Sequence, residues 1–266
     1  MTDLHNDDNL LDEEALNRLP NGAKLSWGIV KQSRRGPKGE LSIAKIVEAA
    51  IELADRDGLA AVSMNRVASS LGFTTMSLYR YVTSKEELLL LMQDAVCDRN
   101  IPPERTDGNW REDMRGYVRA CIEVFEQHPW YGDIPISGIP IAPNTLRYID
   151  WVMRSMRDFP INDFEKMSFL LLISSYARSC GIIHRDMMRA IEAGASAESF
   201  SGMSFGPALR QLVTPERYPD LYPVIASGVY TGEREQDNPI GNDFDFGLER
   251  ILDGIAVYLE SKGKIG

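Results

Sequence analysis

Apolar residues recur along this chain at the spacing of helices, and nowhere does a two-residue alternation set up a strand. The first clear stripe is Ile43, Ile46, Val47, Ala50, Ile51 and Ala54, behind a Ser42 cap and ended by Gly58. Ser63 stands at the next cap position, and Met64, Val67, Ala68 and Leu71 form a shorter stripe. Gly72 closes it as a residue free to take positive φ. Phe73 anchors the turn, and Thr74 or Thr75 can cap a second short helix carrying Met76, Leu78, Tyr79 and Tyr81. Ser84-Lys85-Glu86-Glu87 then reads as a capping box opening a linker helix through Leu88 to Val96.

Longer helices follow. Asn109-x-x-Glu112 opens one to His128, with Met114, Tyr117, Val118, Cys121 and Phe125 inward, and Pro129 stops it. Residues 132–143 form an apolar loop expected to pack, and Asn144 begins a helix striped by Leu146, Ile149, Met153 and Met156. A third capping box, Asn162-x-x-Glu165, opens the most hydrophobic helix, where Phe164, Met167 and Phe169 to Ile173 point in every direction. A helix apolar all round is buried all round, which in a domain this small requires a second subunit. A late helix from Asp243 to Leu259 carries Phe244, Leu248, Ile251, Leu252, Ile255 and Leu259 on one face. Residues 194–241 read as loops with short helices.

The fold class is therefore all-α. A break at Ile101–Gly108 divides a domain of short paired helices with its linker helix (41–100) from a larger helical domain (101–266) suited to dimerisation; effector binding by the latter is an expectation from the cavity candidates and the resemblance given below. Residues 1–40 read as a flexible extension in which Asp12 to Leu19 forms a turn or two that Pro20-Asn21-Gly22 ends.

Charge sharpens this division. Of the net −10, residues 1–23 carry −5 and residues 101–266 carry −7, while 24–100 carry +2. The one positive section holds the paired short helices, as an electrostatic footprint on DNA requires. Three scattered cysteines with no C-x-x-C pair fit a reduced cytoplasm and no zinc site. No basic-then-apolar leader opens the chain, and the Phe169–Tyr176 run is too short to span a bilayer, so a soluble cytoplasmic protein is expected. The three histidines form no metal motif, no glycine-rich phosphate loop follows a strand, and Ser42-x-x-Lys45 lacks the partner motifs of serine–lysine hydrolases. No catalytic residue, metal or cofactor is expected.

Two helices joined by a short glycine-containing turn are the helix-turn-helix pattern, whose second helix lies in the major groove. Outside Leu78 that helix offers Ser77, Tyr79, Arg80 and Tyr81, groups that donate to phosphate oxygens. Lys85 beside the free N–H groups of the next helix makes a further phosphate site. Arg34, Arg35 and Lys38 form a cationic arm that either follows the duplex or is a solvated linker. In the second domain Phe125, Trp130, Trp151 and Tyr176 are aromatic candidates for a ligand cavity, or simply core. His184, too isolated to carry an enzyme reading, joins them as a candidate ligand-binding residue.

The stretches IVEAAIELADRDGLAAVSMNRVASSLG, SLYRYV and SKEELL resemble the DNA-binding domain of the tetracycline-repressor (TetR) family of bacterial regulators. More loosely, GIPIAPNTLRYIDWVMRSM is similar to the family's helical effector domain. The resemblance implies a homodimer on a palindromic double-stranded DNA operator, released when a small effector binds, and the aromatic and methionine-rich surroundings of the expected cavity point to a hydrophobic or aromatic one. It also implies that Asn65 and Thr75 reach base edges, with Met76 against a thymine methyl, while Ser63 and Thr74 join the contacts at helix starts. The family often has a basic residue where Asn65 stands. The alternative class is a helical-bundle enzyme or interaction scaffold that does not bind DNA.

Overall fold

The computed structural model describes residues 13–29, 41–136, 138–196, 202–232 and 243–263; the arm residues Arg34, Arg35 and Lys38 lie outside them. Helices and turns make up the described residues, with no strand among them. Packing divides the chain into two compact units. The first comprises 1–120 with 127–158, and the second 121–126 with 159–266. This division does not run at residue 100, because the helix that follows the helix-turn-helix is packed against elements well beyond it.

The first unit begins with α1 (Glu13–Asn17) and α2 (Asn21–Ser26). α1 ends at Asn17, ahead of Pro20 as the sequence predicts; what the reading missed is a second helix, for Pro20 also occupies the N-cap position of α2, with φ −55° already suited to a helix start. Nor is this segment loose. Gly22 and Ala23 are buried, and a Cβ on Gly22 would stand 3.1 Å from the carbonyl oxygen of Glu87. Glycine there lets α2 lie directly against α6 (Lys85–Val96). The indole N–H of Trp27 donates to the Ile141 carbonyl at 2.8 Å.

α3 (Ile43–Asp57) buries Ile43, Ile46, Val47, Ala50 and Ala54 of the predicted stripe, while Ile51 is only half-buried and Leu53 takes the inward place instead. Ser42 accepts the Lys45 N–H, capping the helix. α4 (Met64–Ser70) packs on it, α5 (Thr75–Leu78) packs on α4, and α6 lies across both α2 and α3. α7 (Trp110–Gln127) contributes its residues 110–120 and Gln127 to this unit, a 3-10 turn covers Pro129–Asp133, and α8 (Pro143–Ser155) completes it. On α8 the buried positions are Tyr148, Trp151 and Val152, with Met156 just after; the expected Leu146, Ile149 and Met153 are only half-buried. The two large rings set the rotation of the helix, since they bury more apolar surface than the aliphatic residues one position away. The preceding loop packs only at its ends: Ile134 and Ala142 are buried, whereas Ile136 and Ile139 stand in solvent.

The second unit is built on α9 (Asp163–Glu192), α10 (Gly206–Leu212), α11 (Tyr222–Ala226) and α12 (Asp243–Gly263). Asn162 and Glu165 form the predicted reciprocal capping box at the start of α9. α9 is not buried all round within one chain. Leu170, Ile173, Ala177, Cys180 and Gly181 face inward, while Phe164, Met167, Leu171 and Leu172 are 80%, 52%, 69% and 46% exposed. α12 buries Leu248, Leu252 and Ile255 and leaves Phe246 and Val257 outside. The two helices are pinned where the Tyr176 hydroxyl donates to the Phe244 carbonyl at 2.5 Å and where Tyr258 and Lys262 meet Glu165.

Candidate nucleic-acid interface

The α4–turn–α5 geometry follows from short-range chemistry. The Ser63 hydroxyl accepts the Arg66 N–H, which satisfies one free donor at the start of α4. Gly72, at φ +75°, turns the chain in the left-handed region that side chains with a Cβ avoid. The Phe73 N–H returns to the Ala68 carbonyl at 2.9 Å, closing the helix end. Thr74 occupies the N-cap position of α5, yet its hydroxyl bonds that of Ser77 at 2.9 Å and makes no capping bond to backbone. α5 is a single turn. It ends at Leu78, and Tyr79, Arg80 and Tyr81 continue as a turn held by Tyr81 N–H to the Leu78 carbonyl.

This places the expected contact residues on one short surface. Leu78 is fully buried, and around it Met76 is 73% and Tyr79 42% exposed. Arg80 is exposed, while Ser77 and Tyr81 are half-buried. The two residues expected at base edges touch each other: the Thr75 hydroxyl donates to Asn65 Oδ1 at 3.1 Å. That bond orients the Asn65 amide so that its NH₂ remains available, the group with which Asn pairs adenine. Ser63 is committed to capping and acts through α4.

Charge on the surface is selective. Arg66 is neutralised by Asp57 at 2.7 Å, and the neighbouring Arg56 holds the Asp57 carboxyl below its ordinary range. Arg80 and Lys85 have no ion-pair partner among the described residues, so both remain available to phosphate. At the start of α6 the Ser84 hydroxyl accepts the Glu87 N–H at 3.1 Å. Glu87 does not complete the expected capping box, because its buried carboxylate turns to the backbone and hydroxyl of Thr83. That choice fixes the turn carrying Lys85.

The ligand-cavity candidates are divided between the two units. Trp130 and Trp151 belong to the first unit, and Phe125, Tyr176 and His184 to the second. Trp130 is fully buried and donates to Asp55 of α3 at 2.6 Å, a carboxylate that also bonds His128 at 2.9 Å. Trp151 stacks edge-on with Tyr117 and Tyr148, its ring lying where a Cβ on Gly116 would come within 3.2 Å. Phe125 lies over Gly181 so closely that a Cβ there would be 2.5 Å from the ring, and His184 pairs with Glu126 at 3.4 Å. Tyr176 is held by its bond to Phe244, and burial pushes its hydroxyl well above its ordinary range. Asp55 and Asp94 were missed as organising groups. Their signal is a carboxylate amid apolar neighbours: Asp94 falls three positions after Leu91, on the buried stripe of α6. Among the described residues no group of histidine, cysteine or carboxylate side chains is arranged to hold a metal, and no helix is long and apolar enough to cross a membrane.

Paired short helices around a glycine turn, presenting exposed donors and unpaired cations, define a helix-turn-helix DNA-binding regulator. Residues 46–92 match the family described as "Bacterial regulatory proteins, tetR family", and residues 102–259 match "Tetracyclin repressor-like, C-terminal domain". The chain belongs to the TetR family. It is 34% identical over 244 residues to the HTH-type transcriptional repressor DrrR1 of Streptomyces coeruleorubidus, covering 90% of this chain and 86% of that protein. An HTH-type transcriptional regulator of Saccharopolyspora erythraea is 34% identical over 126 residues, 47% of this chain and 52% of the relative. Among solved structures, the Streptomyces coelicolor TetR family protein ActR in complex with actinorhodin superposes with a TM-score of 0.67 at 26% identity, covering 81% of this chain and 95% of ActR.

Proposed function

We propose that this regulator is a ligand-responsive repressor that binds a palindromic operator as a homodimer and is released by a hydrophobic or aromatic effector. The observation that carries it is the α4–α5 surface, where Arg80 and Lys85 stay unpaired while Arg66 is neutralised. A solvated hairpin has no need of unpaired cations and an exposed Met76 on the same short stretch of chain. Repression is the role given to DrrR1, and effector binding follows the ActR complex with actinorhodin. The homodimer covers the outer apolar faces of α9 and α12, four of whose side chains (Phe164, Leu171, Phe246 and Val257) are between 45% and 80% exposed in one chain. Residues 41–100 bind DNA, 101–266 bind effector and partner, and Arg34, Arg35 and Lys38 add phosphate contacts. The residues we assign to effector contact are Trp130 and Trp151 in the first unit and Phe125, Tyr176 and His184 in the second. The protein acts in the cytoplasm, without catalysis.

Selection of bound fragments from random duplex DNA tests this reading. A palindrome should emerge whose binding falls steeply with salt, because each phosphate contact releases counterions. Recovery of no preferred sequence, or binding insensitive to salt, refutes it. Actinorhodin is the first effector probe. By linkage, a true effector must bind the free protein more tightly than the operator complex, by the same factor that it weakens operator binding.

A further inference from the structure

α8 begins without a cap of its own. Ala142, at its N-cap position, has no side chain able to accept a hydrogen bond, and Pro143 fills the first turn. The acceptor comes instead from α6. Asn144 N–H donates to Asp94 Oδ1 at 2.8 Å, and the Asn144 side-chain amide reaches the Asp94 carbonyl at 3.2 Å. The Thr145 N–H contributes to the same carboxylate. Asp94 is 6% exposed, and a carboxylate so buried is tolerated only when donors of this kind meet it. On the same stretch, Trp27, just after the docked α2, holds the Ile141 carbonyl at 2.8 Å.

The two helices that share this cap stand at opposite ends of the regulatory problem. α6 starts at Lys85, a candidate phosphate contact, and α8 carries Tyr148 and Trp151 in the aromatic cluster with Tyr117. From Lys85 to Asp94 a helix advances about 14 Å, at about 1.5 Å per residue. We propose that Asp94 is the positioning residue through which operator binding at the start of α6 and the state of α8 sense each other. Displacing α6 relative to α8 strips the first turn of α8 of its acceptor. Keeping the acceptor obliges the start of α8 to follow α6. Asp94 touches neither DNA nor effector; it acts through the backbone of Asn144 and Thr145. The assignment rests on the reading of the protein as a ligand-responsive regulator.

The test uses the full chain and, as its only probe, the palindromic duplex recovered by selection, with hydrogen exchange followed at residues 144–148 and 64–81. In the wild type, the duplex should protect 64–81 and also change exchange at 144–148. Asp94→Asn keeps an acceptor at the same distance and should preserve the remote response. So should Asn144→Ala, which loses side-chain bonds but keeps the backbone donor. Asp94→Ala should raise basal exchange in the first turn of α8 by roughly fivefold, the usual effect of a lost cap. It should abolish the duplex-induced change there while leaving protection of 64–81 intact, a separation that general loss of stability would not produce. A wild type that binds the duplex without any change at 144–148 overturns the proposal, whatever the variants do. So does an Asp94→Ala protein that transmits the full change. A chain that binds no duplex at all instead overturns the proposed function.

Discussion

Removing Lys85 tests the phosphate assignment quantitatively. Lys85 lies at the N-terminus of α6 with no ion-pair partner among the described residues, so Lys85→Ala breaks no bridge that would complicate the result. In a dimer the substitution removes two phosphate-neutralising charges per operator. With a salt slope of about −0.9 per neutralised phosphate, the plot of log affinity against log salt should become shallower by about 1.8. A fourfold increase in salt, from about 50 to about 200 mM, should then shrink the deficit of the variant about twelvefold. Fluorescence anisotropy of a labelled operator across a salt series reads this directly. Arg80→Ala should behave the same way. Arg66→Ala is the internal control: its guanidinium is already paired to Asp57 at 2.7 Å, so the slope should hardly move. An unchanged slope in Lys85→Ala, or an equal change in all three variants, would refute the division into free and neutralised cations.

Thr75→Ala and Asn65→Ala should relax preference at the same operator position, because the two side chains are joined by a 3.1 Å bond; selection from randomised operators that places their effects at separate positions would refute the pairing. Substituting Arg34, Arg35 and Lys38 together by Ala should reduce the salt slope by up to roughly three per arm without changing preference, and a wild-type slope would make the segment a plain connector. Gly247→Ala should cost about 1–3 kcal/mol in denaturant unfolding, since its Cβ would meet the Tyr176 hydroxyl and press within 3.0 Å of Cζ; a neutral outcome would mean the ring moves freely. Lys262, Tyr258 and the Asn162 N–H hold Glu165 at about 2, below its ordinary 4.5, so its stabilisation is complete above 4.5 and is lost as pH falls towards 2. Melting temperatures of wild type and Glu165→Gln should therefore converge across that window, and a gap that persists at pH 2 would count against the α9–α12 clamp.

What could be read from the sequence was what adjacent residues decide. Ser42, Ser63 and the Asn162–Glu165 pair cap the helices they precede, and Gly72 takes the positive φ its position asks for. Leu78 was legible as the buried residue of α5 because its neighbours are polar. Contacts between distant segments were not legible. Pro20-Asn21-Gly22 looks locally like a stop, and only the presence of α6 makes Gly22 the contact point of a docked helix. Glu87 has the right spacing for a capping box, but Thr83 offers its carboxylate two donors and wins. On α8 the aliphatic residues suggest one face, and the Tyr117–Tyr148–Trp151 stacking selects the neighbouring one. The helix-turn-helix is the most local construction in the chain, which is why it was also the most legible.

The shared cap has a practical consequence for anyone recombining regulators of this family. Exchange of DNA-reading heads assumes that a chain can be cut after the linker helix and joined to a foreign body. Here a cut near residue 100 would carry away the residue that finishes the first turn of α8, and a head taken from residue 41 would leave behind the helix that lies against Glu87. A chimera assembled at those points would present a correct reading surface on a body whose first turn of α8 lacks its acceptor. A functional graft from this protein must therefore travel as residues 21 to 100, matched at its new host by a donor equivalent to Asn144.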